Sequence, residues 1–277
     1  MGPESHSADL INISSLIEKA QQGDPRAQCQ LGIEYRDGKH LTEDPHQALH
    51  WFETAAEQKD SDAYYLLAKY YDDGIDGTPD IVQALHWFQK AAEMDHGLAQ
   101  LCLGNLYMEG DWADKDPDLA IQQWKSAAEK HISQAQYNLF VCYTNGLGVT
   151  AQNETANFWL EAAADQQHPL AQFHLGRNFY QGKHRNQDFK KALYWYIQAA
   201  ENRVVDAQMD VGVLYYTGQG IDQNIPEGYA WAKIAAEQGD QKHQQTFDYM
   251  KQKLKTKPEL ITLGEQRYSE LKKALRD

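Results

Sequence analysis

A strict 36-residue period runs through the chain and constrains its fold more than any other feature. One column of the period is alanine, at Ala27, Ala63, Ala99, Ala135, Ala171 and Ala207. Another is glycine, at Gly38, Gly74, Gly110, Gly146, Gly182 and Gly218. A period of roughly 20–50 residues indicates stacked units, each of which buries its apolar face only against its neighbours. The period therefore predicts a solenoid, whose long open surfaces favour binding as the function.

Each unit is predicted to contain two helices joined by a short polar loop. In the first unit Asp24 and Pro25 indicate a helix start, because aspartate caps free N–H groups and proline suits the first turn. Gly38 is expected to end that helix in the left-handed conformation. A second column of cap residues begins the second helix, at Asp44, Asp80, Asp116, Gln152, Asp188 and Asn224. The unit is thus predicted to be an antiparallel helical hairpin.

A column of small residues predicts close contact between the two helices of each hairpin. It consists of Gly32, Ala68, Gly104, Phe140, Gly176 and Gly212. We expect the tryptophan of the second helix, such as Trp51, to enter the gap that these residues leave. Phe140 breaks the pattern, so the fourth repeat is expected to be splayed or repacked.

The period also predicts the organisation of the whole chain. We expect a flexible N-terminus at 1–8, a capping helix at 9–23, and C-terminal capping helices at 241–277. The six repeats between them are predicted at 24–60, 61–96, 97–132, 133–168, 169–204 and 205–240. Capping helices cover the apolar faces that a solenoid exposes at its ends. Fifteen helices are predicted in total.

The charge is unevenly distributed and restricts the class of partner. Residues 241–277 carry nine Lys or Arg against five Asp or Glu, a net charge of +4. The net charge of the whole chain is −14, so residues 1–240 carry −18. Such an acidic body repels phosphate backbones, which argues against nucleic-acid binding and favours a basic partner.

Cysteine usage and hydropathy favour a cytoplasmic location. The three cysteines, Cys29, Cys102 and Cys142, have no ligand spacing and are predicted to be free thiols, as in a reducing compartment. No stretch approaches the roughly 20 apolar residues of a membrane span, so membrane insertion is not expected. The first residues lack the pattern of a secretory signal. A periplasmic or secreted location would require a signal that has been removed.

The repeated pattern resembles a known family of bacterial and other repeat proteins. The unit reads Ala-x3-Leu-Gly-x2-Tyr-x2-Gly followed by Asp-x3-Ala-x2-Trp-x3-Ala-Ala, which resembles the Sel-1-like repeat, a relative of the tetratricopeptide repeat. In the first unit the pattern consists of Ala27, Leu31, Gly32, Tyr35, Gly38, Asp44, Ala48, Trp51, Ala55 and Ala56. The resemblance spans about residues 16 to 240 and implies an all-α, right-handed α/α superhelix. It also implies an adaptor or scaffold that binds a protein or peptide.

The tetratricopeptide resemblance further implies which residues line a concave groove. These lie three before, one after and four after the small residue of the first helix. The candidates are Tyr65, Lys69, Asn105, Met108, Tyr137, Phe173, Arg177, Tyr180, Met209 and Tyr216. Repeats four to six are the more aromatic, and Arg177 is expected to meet a carboxylate or polar backbone. The alternative is that the first of these columns packs between neighbouring helices as core, and both interpretations stay open.

No catalytic residue, metal ligand or cofactor is predicted. The chain has no HExxH, GxSxG, GxGxxG or phosphate-loop signature, and no Cys/His set with zinc spacing. Solvated or capping roles account for His40, His50 and His86. Two alternatives to an adaptor are kept: an inhibitor or immunity protein that occludes a toxic enzyme, and a hydrolase or cell-wall-binding protein with an unrecognised site.

Overall fold

A computed structural model of the protein describes residues 12–74, 77–110 and 114–275, and these ranges contain fifteen α-helices and no strand. The expected flexible segment at 1–8, and the first residues of the predicted N-terminal helix, lie outside the described residues. The chain divides into two compact units, Met1–Ile132 and Ser133–Asp277. Each unit holds three helical hairpins.

The helices follow the predicted order in both units. The first unit contains α1 (Ile13–Gln21), α2 (Pro25–Asp37), α3 (Pro45–Glu57), α4 (Ser61–Asp73), α5 (Ile81–Glu93), α6 (Gly97–Glu109) and α7 (Pro117–Glu129). The second contains α8 (Ser133–Asn145), α9 (Asn153–Asp165), α10 (Pro169–Gln181), α11 (Phe189–Glu201), α12 (Val205–Thr217), α13 (Ile225–Gln238), α14 (Gln241–Lys253) and α15 (Pro258–Ala274).

The predicted cap column is confirmed at five of its six positions. The Asp44 carboxylate accepts hydrogen bonds from the backbone N–H groups of His46 and Gln47, both at 3.0 Å. Asp80, Asp116, Asp188 and Asn224 cap their helices in the same way. Gln152 makes no such bond, and its side-chain oxygen accepts instead from the Thr155 hydroxyl at 3.0 Å. Gly38 ends α2 in the predicted left-handed conformation, with φ 63°.

The expectation that tryptophan fills the gap at the small-residue column was wrong. The residue that fills it is the next one along, since a Cβ on Gly32 would lie 2.5 Å from Cε1 of Phe52 and one on Gly104 would lie 2.4 Å from Cδ1 of Trp124. One residue turns a helix by about 100°. Trp51 therefore does not face Gly32 and packs instead on the cluster of Ala20, Ala27 and Leu31.

The fourth repeat is repacked, which is one of the two outcomes expected from Phe140. Opposite Phe140 the second helix carries Leu160, which is fully buried, where other hairpins carry Phe52, Trp124 or Tyr196. A large residue on the first helix is thus matched by a smaller one on the second. The smaller leucine offsets part of the volume that Phe140 adds, which limits the overpacking that a second ring would cause.

A column of buried glutamines, not predicted from the sequence, joins consecutive hairpins. The side-chain amide of Gln28 donates to the carbonyl of Ala20 at 3.0 Å. The equivalent bonds are Gln172 to Ala164 at 3.4 Å and Gln208 to Ala200 at 3.2 Å. Each bond reaches from the first helix of a repeat to the last turn of the helix before it, where carbonyl groups lack helical partners.

The terminal helices cover apolar faces as predicted. Ala20 of α1 is buried against α2. At the other end, Phe247 and Met250 of α14 pack on Tyr229 of α13. Leu271 of α15 is buried in the cluster that includes Trp231. These contacts confirm the capping role expected of the helices at both ends.

Candidate binding site

Two predicted groove residues are used in stacking between repeats. Tyr65 stacks on His96 with ring centroids 4.7 Å apart, and Tyr137 stacks on His168 at 4.6 Å. Both histidines are helix N-caps, because their Nδ1 atoms accept from the backbone N–H three residues on. Desolvation lowers the pKa of both imidazoles, which keeps Nδ1 available as an acceptor. These tyrosines therefore have a structural partner at the start of the next first-type helix, α6 or α10.

The other predicted residues of the first unit are also engaged locally. Lys69 forms an ion pair with Asp72 at 2.6 Å on the same helix. Asn105 accepts a hydrogen bond from the indole N–H of Trp124 at 3.0 Å. Met108 is half-buried on α6. The ammonium group of Lys69 and the side-chain carbonyl of Asn105 therefore already have partners within the protein.

The second unit brings four predicted residues to one cleft. Phe173, Arg177 and Tyr180 come from α10 and Met209 comes from α12, and the cleft between them has a volume of about 520 Å³. Met209 is 7% exposed and forms part of the floor. We call this the Asp210 cleft, after a half-buried carboxylate in its wall. Its other polar lining residues are Gln181, Tyr196, Asp206, Lys242, His243 and Thr246.

The Asp210 carboxyl group is the most perturbed acid of this cleft. Burial, and next the charge of Asp206, raise its pKa to about 6, while a hydrogen bond from Tyr196 and the charges of Lys242 and Arg177 act more weakly in the opposite direction. Burial and the neighbouring Asp210 also raise the pKa of the Tyr196 hydroxyl. At neutral pH the cleft therefore holds a carboxylate whose surroundings disfavour its charge.

Asp206, by contrast, already has a partner from α14. Nε2 of His243 lies 3.1 Å from its carboxylate, while Nδ1 of the same ring lies 2.7 Å from Asp240 at the start of α14. Across the described ranges, Asp210 has no lysine, arginine or histidine nitrogen in ion-pair contact. The two acids of the cleft thus differ: one is paired and the other is not.

A second, smaller cleft lies beside the first and shares Arg177 with it. Its volume is about 230 Å³, and it is lined by Phe140, the four amides Asn145, Asn153, Asn157 and Asn178, and the basic residues Arg177, Lys183 and His184. No carboxylate is among its described lining residues. Burial and the nearby Arg177 lower the pKa of His174 to about 4, so this ring is neutral and its Nδ1 lies 3.1 Å from Nη2 of Arg177. We call this the amide cleft.

The remaining predicted residue, Tyr216, does not line either cleft. Its hydroxyl donates to the carbonyl of Met250 at 3.4 Å, so it packs against α14. Sequence reasoning in turn missed Asp210 and His174. These two share a column of the period, one position after the first predicted lining column, and that column is the signal that could have found them. Lys242 lies beyond the six predicted repeats, although α14 begins one period of 36 residues after α12.

Within the described ranges, no three His, Cys, Asp or Glu side chains come together as a metal site. None of the described helices combines the length and the apolar character that crossing a membrane requires.

The family is decided by the match of a family model described as Sel1 repeat. The matched residues are 25–60, 61–96, 97–131, 133–168, 169–203 and 205–240. The chain belongs to the Sel1 repeat family. The Sel1 match ends before α14, so Lys242 and His243 lie outside the matched Sel1 repeats although they line the Asp210 cleft.

Two solved structures show the same Sel1 repeat fold over most of the chain. One is a protective antigen present in uropathogenic Escherichia coli strains, 30% identical, with a TM-score of 0.80, covering 94% of this chain and 56% of that one. The other is a Sel1 repeat protein from Oxalobacter formigenes, 30% identical, with a TM-score of 0.77, covering 86% of this chain and 68% of that one. The chain therefore spans little more than half the length of the first. No curated protein sequence matched the chain.

Proposed function

We propose that this protein is a non-enzymatic interaction scaffold that binds a segment of a partner protein in the clefts of its second unit. The observation that carries the proposal is that Phe173, Arg177, Tyr180 and Met209, from two successive repeats, meet at one cleft. The Sel1 repeat is a protein-interaction fold. Tyrosine and arginine are also the residue types enriched at binding hot spots.

The position of Arg177 supports an extended ligand. It stands between the Asp210 cleft and the amide cleft, so a segment in one can continue into the other past its guanidinium. Its carbon Cζ lies 5.8 Å from the centre of the Phe173 ring, so the guanidinium group lies over an aromatic face. A guanidinium held in this way presents its remaining N–H groups to peptide carbonyls or to a carboxylate.

The amide cleft suits the polar backbone of such a segment. Asparagine side chains offer both donors and acceptors, which can pair with the N–H and C=O groups of an extended chain. The aromatic rings of the Asp210 cleft supply apolar area for a side chain. Together the two clefts offer a polar and an apolar part, as protein-binding surfaces do.

The test is selection of binding peptides followed by matched substitutions. A random 12-residue peptide library displayed on phage is selected against the folded protein, and the affinity of the best synthetic peptide is measured by calorimetry. Tyr180→Ala should weaken binding at least tenfold, about 1.4 kcal/mol, because Tyr180 lines the cleft. Tyr194→Ala is the matched control, since Tyr194 is 57% exposed on α11 and lies outside both clefts.

Circular dichroism is used to check that both variants keep the helical fold. Equal affinities for wild type and Tyr180→Ala, or an equal loss with Tyr194→Ala, would contradict a binding site at these clefts.

A further inference from the structure

We infer that Asp210 receives one basic side chain, a lysine or an arginine, from the segment bound in the cleft. The inference deepens the proposed function and rests on it. It assigns a chemical class of residue to one position of the ligand. It also assigns a role to a residue that the repeat pattern does not specify.

The charge balance around Asp210 is the first argument. Four ionisable groups on three helices line the cleft with this carboxylate: Asp206 on the same helix, Arg177 on α10, and Lys242 and His243 on α14. His243 is already held by Asp206 and Asp240, and Arg177 is directed to His174. Although the charges of Lys242 and Arg177 act in the opposite direction, the net effect of the surroundings still disfavours the charge of Asp210. A cation delivered to this carboxylate would relieve that cost.

The aromatic rings that line the same cleft as Asp210 are the second argument. The ring centres of Phe173 and Tyr196 lie 5.8 Å apart, and those of Tyr180 and Tyr196 lie 6.5 Å apart. Aromatic faces attract ammonium and guanidinium groups, and they do so more strongly where water is displaced. The Tyr196 hydroxyl also acts on Asp210 as a hydrogen-bond donor. The acceptor for a basic group therefore lies in the same cleft as these aromatic rings.

The floor suits the aliphatic part of the same side chain. Met209, Val213 and Leu214 line the cleft beside the carboxylate. Lysine and arginine place three or four methylene groups between the backbone and the charge, and these groups gain by lying on apolar surface. A short anion would leave that floor uncovered and would place its charge close to Asp210 and Asp206. Lys242 and Arg177, at the cleft with them, can pair with carbonyl groups of the ligand backbone.

The experiment uses small probes, because they report on this subsite alone. N-acetyl-L-arginine amide is titrated into the isotopically labelled full chain at pH 7.5 and followed by amide NMR. Its neutral isostere N-acetyl-L-citrulline amide and the anionic N-acetyl-L-glutamate amide are titrated in parallel. We expect saturable shifts at residues 206–213 with the arginine probe, and at least tenfold weaker binding of the other two. The arginine probe should bind about tenfold more weakly at pH 5, where a carboxyl group of pKa about 6 is mostly protonated.

Asp210→Asn is the decisive variant, since the amide keeps the shape and can still accept from Tyr196. It should remove the preference for arginine over citrulline and also the pH dependence. Asp222→Asn is the matched control: it makes the same charge change at an exposed residue outside the cleft, and should leave both intact. No binding of the arginine probe by wild type, retention of its preference in Asp210→Asn, or stronger binding of the glutamate probe would overturn the inference.

The outcome also separates this inference from the proposed function. If the affinity of a selected peptide depends on Tyr180 but is unchanged when its basic residues are replaced by norleucine or citrulline, the binding site is supported and the role of Asp210 is contradicted. If the affinity of the selected peptide does not depend on Tyr180, the binding site itself is contradicted.

Discussion

Replacing Gly32 by alanine should change protein stability with a sign that depends on the residue opposite. A Cβ at this position would lie 2.5 Å from Cε1 and 2.7 Å from Cδ1 of Phe52, which is completely buried and cannot swing aside. Ordinary carbon contacts are about 3.5–4.0 Å. An overlap of about 1 Å belongs at the upper end of the overpacking range of about 1–3 kcal/mol. Alanine recovers about 1 kcal/mol of helix propensity, so Gly32→Ala should destabilise wild type by about 1–2 kcal/mol.

In a Phe52→Leu background the same substitution should stabilise the protein. Leucine removes the ring edge that the new methyl group would strike, which leaves the propensity gain of up to about 1 kcal/mol. The hairpin α8–α9 already places a leucine, Leu160, opposite a residue larger than glycine, Phe140. Urea unfolding followed by circular dichroism at 222 nm gives the free energies of the four proteins in the cycle. The reasoning is refuted if Gly32→Ala shifts stability in the same direction in both backgrounds.

Three further predictions concern stability alone. Because the pKa of Asp210 is raised from 3.8 to about 6 in the folded state, the stability that it contributes is present below about pH 4 and is lost as the pH rises through 6. Asp210→Asn should therefore gain about 1–3 kcal/mol relative to wild type between pH 4 and pH 7.5 in urea unfolding, and a constant difference would contradict this. Gln208→Ala should cost about 2–3 kcal/mol of stability, since it loses the bond to Ala200 and opens a cavity. Gln208→Leu should cost less than half as much, because leucine fills the space and removes an oxygen that has no partner among the described residues. Equal losses of stability in thermal unfolding would count against this. Gln152→Asp should add about 0.5–1 kcal/mol by supplying the missing cap of α9, and an unchanged or lower melting temperature would argue against it.

The parts of the fold that depend on neighbours in the chain could be predicted from the sequence. Asp44 caps α3 and Gly38 ends α2 through contacts within a few residues, so their identities suffice to place them. The face of a helix that meets its partner depends instead on the position of the neighbouring hairpin. Trp51 and Phe52 are both large and adjacent, and only the packed structure shows which of them enters the gap at Gly32.

The candidate site shows the same division. Phe173, Arg177 and Tyr180 follow the period, and the structure places them at one cleft. The importance of Asp210 comes from burial, which a sequence does not report. Lys242 joins the cleft because α14 contacts α12 through His243 and Met250, and the matched repeats end at residue 240, before that helix.

The buried glutamines have a consequence for the number of repeats that such a chain can hold. The bond from Gln172 to Ala164 uses a side-chain amide on one side and a main-chain carbonyl on the other, and the same holds for Gln208 and Ala200. Any repeat that ends in a helical turn offers that carbonyl, whatever its other residues are. A complete 36-residue module duplicated at one of these joints would therefore place the same amide beside the same carbonyl, while an insertion of a few residues would separate them. The joint before α6 differs, because Gln100 bonds the side chain of Asp95 instead.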